Sequence, residues 1–192
     1  MPLLQRRRLA ALLAAGGTAS MLTAAVRPAA AAATSRRQIN DEVAAAMARL
    51  RKIEKVQPLL QHAKATLVFP HIISGGFIVG GQYGEGAALG ANGTTQGYYS
   101  IGGVSLGFLA GAQSAGLAMF FMTEEALAAL MRAEGWEIGT GPSVVVIDKG
   151  AQVNVTATTL REAVYAITFD QEGLMASLAL NGTKISRITP EA

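Results

Sequence analysis

Cysteine is absent, and histidine occurs only twice and tryptophan once in 192 residues. Without cysteine there is no disulfide framework, thiol nucleophile or cysteine-ligated metal. His62 and His71 stand nine residues apart with no carboxylate cluster beside them, so no metal site is expected and no cofactor is called for. Charge is also missing locally: no charged residue occurs from Gly86 through Thr123. The same zone is crowded with glycine, 14 of the 42 residues from Gly75 to Gly116. Such a run suits either a membrane segment or glycine-interrupted strands.

The formal net charge of +3 needs correction before it is interpreted. Arg6, Arg7 and Arg8 precede an uncharged Leu/Ala-rich run from Leu9 to Val26, the form of a secretory signal with a basic start and an apolar middle. Small residues from Ala29 to Ala33 offer a cleavage region, so residues 1–33 are read as the signal. Paired arginines leave the general and twin-arginine routes both open. Removing that segment takes away four arginines and leaves 12 basic residues against 13 acidic ones. Basicity therefore gives no argument for nucleic acid, and no zinc finger or basic zipper supplies one.

Residues 34–58 are read as a basic amphipathic helix and a link, and residues 59–192 as the main domain. Ser35 with Gln38 resembles a capping box, and Ile39, Val43, Ala46, Met47, Leu50 and Ile53 recur at helical spacing through Val56. Arg49 and Arg51 flank that apolar arc, Lys52 and Lys55 lie opposite, and Glu54 falls inside it as a mismatch. A second helix is expected from Pro58 to Ala65, then a strand from Thr66 to Phe69 ended by Pro70, with His71 in the following turn.

Further strands are expected at Phe77–Val79, Ala87–Leu89, Tyr98–Ile101, Val104–Leu109 and Leu117–Met122, with Asn92-Gly93 as a tight turn. Thr123, Glu124 and Glu125 begin a helix with an apolar face of Ala126, Leu127, Leu130 and Met131, and Gly135 is its stop. Ser143–Ile147 reads as a buried strand. Val153–Thr159, Val164–Phe169 and a hairpin of Leu174–Leu180 with Lys184–Ile188 complete the pattern. The fold class is α+β: a compact, glycine-rich, mainly antiparallel β domain with packed helices and an N-terminal amphipathic helix.

Several motifs invite chemistry and fail on spacing. Gly103-Val104-Ser105-Leu106-Gly107 has the form of a nucleophile elbow, but both histidines precede Ser105, the reverse of the order that hydrolase fold requires. Gly84, Gly86 and Gly90 approximate a dinucleotide loop with the third glycine one place late and no strand-helix alternation behind it. Asp148 and Asp170 are better read as turn residues than as a carboxylate pair. The Asn-x-Thr triplets at Asn92, Asn154 and Asn181 would be acceptors only in a glycosylating secretory pathway. Ile101 to Met122 is uncharged with Gly103, Gly107 and Gly111 at four-residue spacing, but Ser105, Gln113 and Ser114 interrupt it as a membrane span.

Ala63-Lys64, Val68-Phe69-Pro70, Gly76-Phe77, Gly80-Gly81-Gln82-Tyr83-Gly84-Glu85-Gly86, Gly102 to Ser105, Gly111 to Ser114, Met122 to Leu127 and Gly173 to Leu178 follow one another in the order of a known pattern. Over roughly residues 59–190 the chain resembles the SYLF lipid-binding domain family. The resemblance implies a non-catalytic lipid-binding protein, here a stand-alone exported bacterial member, meeting anionic, phosphoinositide-like headgroups. By the same resemblance lipid contact falls on Arg49, Arg51, Lys52, Lys55 and Lys64, and Gly76, Gly80, Gly81, Gly84 and Gly86 form a structural glycine motif. Partners implied are an anionic membrane surface and an envelope protein. Actin, bound by fungal members, is not expected to meet an exported chain. The expected location is the periplasm or cell envelope.

Charge distribution is compatible with that contact: residues 34–62 carry six bases and three acids, residues 63–192 six bases and ten acids. Two readings of the first helix stay open, one with its apolar arc packed on the sheet and the other with the arc against a membrane. A scaffold that binds only protein partners is the alternative function.

Overall fold

The computed structural model describes residues 34–76, 79–106, 111–132, 135–140, 142–147, 160–172, 180 and 182–192. The expected signal segment, the expected Val153–Thr159 strand and the expected Leu174–Leu180 arm of the last hairpin, save Leu180, lie outside these residues.

The first helix, α1 (Arg36–Leu50), begins where the Ser35 hydroxyl accepts the Gln38 N–H at 3.2 Å. Only half of the capping box forms, because the Gln38 amide turns forward to Glu42 at 2.9 Å. The helix stops at Leu50, six residues before the expected end, and Ile53 is extended. A 3-10 turn (Glu54–Val56) then leads into α2 (Gln57–His62). Pro58 has no N–H and its ring would strike the carbonyl four residues back, so one helix could not run through it unbroken. The Gln57 amide donates to the Arg51 carbonyl across the break. Ending α1 early removes the Glu54 mismatch, since Glu54 stands exposed in the 3-10 turn instead of inside a buried arc.

Four long strands form the centre: β1 (Ala65–Gly76), β2 (Val79–Gly90), β3 (Thr95–Leu106) and β4 (Gly111–Phe121). After β4 come α3 (Glu124–Met131), β5 (Trp136–Glu137), β6 (Val144–Ile147), β7 (Val164–Glu172) and β8 (Lys184–Ile188). All belong to one eight-stranded sheet ordered β5-β8-β3-β2-β1-β4-β7-β6, antiparallel except for the β6–β7 pair. The α+β, mainly antiparallel expectation is therefore met.

The strands are longer than expected because glycine and Pro70 did not end them. Pro70 sits at a bulge between Val68 and His71 and β1 continues to Gly76. A bulge absorbs a residue that cannot donate a ladder hydrogen bond. His71 is consequently an exposed strand residue, not a turn residue. Asn92-Gly93 does turn the chain between β2 and β3: Gly93 has φ +78°, and the Asn92 side-chain oxygen accepts the Thr94 N–H at 3.1 Å.

Three other expectations change. Val144–Ile147 is an edge strand in which only Ile147 is buried and Val146 is 42% exposed, so its apolar run is not a core strand. The helix α3 leaves helical geometry at Arg132, before Gly135, and Met131 lies outside its buried face. The described residues of the uncharged stretch from Ile101 to Met122 fall on β3 and β4, save Met122 just past the end of β4, and among the described residues no helix is long and apolar enough to cross a membrane.

Alternation along the strands separates two cores. One face carries Leu67, Phe69, Ile72, Leu117, Met119 and Phe121 against α3 and Trp136. The other carries Val68, Ala118, Phe120, Tyr165, Ile167 and Phe169 against α1 and α2. On the α3 side the sheet curls: Trp136 at the edge meets Phe121 edge-to-face with centroids 5.7 Å apart, although four strands lie between β5 and β4 in the ladder. The result is a half-barrel with helices on both faces.

Candidate functional site

The corner where α1 ends collects the basic residues. Arg49 is in the last turn, Arg51 is the C-cap, Lys52 follows it, and Lys55 lies in the 3-10 turn; all four are exposed. Lys64, also exposed, comes after α2 and is tied into the fold by its backbone, with its N–H on the Phe121 carbonyl at 2.8 Å. Positive side chains at a helix C-terminus also meet the negative end of the helix dipole.

These five bases are not equivalent. Arg49 Nε pairs with Asp170 Oδ2 at 2.5 Å, joining α1 to β7 with both side chains about two-fifths exposed (42% and 41%). Lys64 Nζ is 3.8 Å from Glu124 at the start of α3. Arg51 and Lys52 have no carboxylate partner among the described residues. A charge without a carboxylate partner can engage an outside anion without first giving one up.

The apolar arc of α1 does not share that freedom. Ile39, Val43, Ala46, Met47 and Leu50 are all at most 6% exposed and pack on the sheet with Val68, Phe120 and Tyr165. Of the two readings left open for this helix, packing is the one the fold adopts. Any surface contact made by the corner in this conformation is electrostatic and non-inserting.

The glycine motif divides by geometry. A Cβ at Gly86 would lie 2.0 Å from the Val68 carbonyl oxygen, and one at Gly84 2.7 Å from that of His71. Both glycines let β2 run under the β1 bulge. At Gly81 the nearest atom is 3.9 Å away, so a methyl group has room. Gly76 and Gly80 pair with each other across β1 and β2. Gly84, Gly86 and Gly90 thus lie along one strand, which disposes of a dinucleotide loop.

Ser105 is inside β3, paired with Gly80, and not on a strand-to-helix turn. His62 Nδ1 is 2.8 Å from the Pro58 carbonyl of its own helix. Asp148 is outside the described residues, and Asp170 serves Arg49. Among the described residues no group of three or more His, Cys, Asp or Glu could hold a metal.

Two features were not anticipated from the sequence. Arg51 lines a groove of about 500 Å³ between α1, α2 and the β2–β3 turn. On the α1 side of the sheet, Ile73, Tyr83 and Val104 are exposed by 64%, 54% and 75%. There the Tyr83 hydroxyl donates to Glu85 Oε1 at 2.6 Å, a same-face i,i+2 strand pair readable in principle from the alternation.

Partial burial, then the hydrogen bond and negative charge of Glu85, raise the Tyr83 phenol from 10.0 to about 12. A raised folded value favours the neutral phenol, so its contribution to stability is complete below about pH 10 and disappears as pH climbs toward about 12. Tyrosinate absorbance followed against pH should contain a component near 12 that Tyr83→Phe removes; loss of a component at 10 instead would contradict the pairing.

Residues 102–190 match the family described as "Ysc84: Las17-binding protein actin regulator". The match covers less than half of the chain and supports the SYLF resemblance in part. A non-catalytic interaction module is the reading it carries. It also corrects one expectation: actin cannot be set aside as an unsuitable partner when the matched family is described as an actin regulator. No curated protein matches the chain.

Proposed function

We propose that the chain is an exported, non-catalytic protein of the cell envelope that meets anionic lipid surfaces peripherally, through the basic corner from Arg49 to Lys55 with Lys64 beside it. The observation that carries this reading is the contrast at the end of α1, where Arg51 and Lys52 are exposed without a carboxylate partner among the described residues while the apolar arc is buried. Long basic side chains on such a corner reach lipid phosphates without inserting backbone or core. Export rests on the signal form of residues 1–33, and the phosphoinositide-like headgroup on the SYLF resemblance.

Sedimentation of the mature chain with vesicles tests it. Binding is expected with phosphatidylglycerol present and not with phosphatidylcholine alone. It should fade as the screening length falls from about 10 Å at 0.1 M salt to about 3 Å at 1 M. Salt-insensitive binding to neutral vesicles would sink the electrostatic assignment.

The match over residues 102–190 favours a second reading, a protein-binding regulator with actin as a partner. The basic corner lies outside the matched residues, so this reading would place contact on the β3-to-β8 part of the domain. Co-sedimentation with filamentous actin, unaffected by substitutions in the corner, would favour it over lipid.

A further inference from the structure

We infer that the groove between α1, α2 and the β2–β3 turn is a binding site for a single-chain anionic amphiphile, with the alkyl chain in the groove and the anionic head on Arg51. This extends the anionic-lipid reading of the basic corner and rests on it, since Arg51 belongs to both.

The groove's chemistry is two-sided. Leu60 of α2 and Leu89 of β2, both partly exposed, give it an apolar wall, and the buried Val43, Met47 and Ala63 lie behind them as its floor. Among the described residues Arg51 is the only ionisable one lining the groove, and it has no carboxylate partner there. Two of its polar neighbours are engaged: Asn40 accepts from the Tyr98 hydroxyl at 3.1 Å, and the Gln57 amide donates to the Arg51 carbonyl; Gln61, Thr66 and Thr95 are the other polar side chains on the lining. That second bond fixes the backbone from which the guanidinium extends. An apolar cleft ending in one cation selects against a neutral hydrocarbon, which leaves the cation unused, and against a compact anion, which leaves the wall wet. A volume of about 500 Å³ sits in the lower half of the usual range for small-ligand sites, which suits one alkyl chain better than two. The planar guanidinium can grip a carboxylate or a phosphate by paired hydrogen bonds, so the head could belong to a fatty acid or a lysophospholipid.

The test is calorimetric titration of the mature chain with three amphiphiles of equal chain length, each below its micelle concentration: a fatty acid, lysophosphatidic acid and an uncharged monoacylglycerol. One-to-one saturable binding is expected for the two anionic ligands, about tenfold or more tighter than for the third. Comparable binding of the two would show that the head is read as an anion, and preference for lysophosphatidic acid that it is read as a phosphate; either supports the site.

Ala44 is exposed on α1 and lines the groove, so Ala44→Trp fills the space from outside the core. With its fold verified by circular dichroism, this variant should bind the amphiphiles at least about tenfold more weakly while pelleting normally with anionic vesicles. Arg51→Gln should weaken the anionic ligands and leave the monoacylglycerol unchanged.

The proposal is overturned if the wild-type chain shows no saturable binding, if folded Ala44→Trp binds like the wild type, or if the neutral amphiphile binds as well as the anionic ones. Vesicle binding that persists in those cases leaves the surface reading standing. Amphiphile binding without vesicle binding would remove the surface reading and keep the groove.

Discussion

Replacing Gly86 by alanine should cost about 3–4 kcal/mol of stability, a large part of the 5–15 kcal/mol that holds an ordinary domain together. The added Cβ would stand 2.0 Å from the Val68 carbonyl oxygen, 2.8 Å from the Val68 carbonyl carbon and 2.9 Å from Phe69 Cδ1. Two of these neighbours are backbone atoms at the shoulder of the β1 bulge, so no rotamer change relieves the overlap. Phe69 is fully buried in the core on the α3 side and has nowhere to retreat. Gly81→Ala, five residues away on the same strand, is the control. Its nearest atom is 3.9 Å distant, and loss of unfolded-state freedom should leave it neutral or more stable by up to about 1 kcal/mol. Urea unfolding of both variants against the wild type measures the difference. Equal midpoints for the two alanines would show that the bulge does not press on β2 as described.

That contrast also shows what could be read from the chain before its structure. The abundance of glycine pointed to bulges and close backbone approach, and both occur, but composition cannot say that Gly86 is indispensable and Gly81 is not. The distinction arises from which glycine faces Val68 and Phe69 at the β1 bulge, a juxtaposition that only strand pairing makes. Glycine and proline do not terminate these strands: in a twisted sheet with neighbours on both sides, β1 and β2 each continue for 12 residues.

Local signals fared better. The Ser35 and Thr123 caps and the Asn92-Gly93 turn are where expected, because each depends on a hydrogen bond or backbone angle within a few residues. The apolar periodicity of α1 was legible, whereas its partner was not, because the same arc could meet a sheet or a membrane. Ile53 has the right spacing to prolong the arc but is extended, since α1 has already ended at Leu50. For the corner, the sequence supplied the bases; Asp170 and Glu124, which engage two of them, come from more than 50 residues away. The groove beside Arg51 has no local signature, being enclosed by α1, α2 and a hairpin turn that only folding brings together.

Those two carboxylates make a sharp test of the lipid surface. Neutralising Arg51 and Lys52 together should lower partitioning onto anionic vesicles roughly thirtyfold, taking about 1 kcal/mol for each base held near the surface. Neutralising Arg49 and Lys64 changes the net charge by the same amount, yet only a several-fold loss is expected. In the native chain Arg49 is held by Asp170 at 2.5 Å and Lys64 lies 3.8 Å from Glu124, so either must loosen a partner before it meets a phosphate. The second variant should also remain folded, because an ion pair whose side chains are about two-fifths exposed (42% and 41%) contributes at most about 1 kcal/mol. Vesicle sedimentation near 0.1 M salt, where the screening length is about 10 Å, separates local contact from the field of the whole protein. If the diffuse field governs attraction, the two double variants will lose affinity equally. A large gap in favour of Arg51 and Lys52 requires that these side chains touch the surface themselves, as their position beyond the last turn of α1 allows.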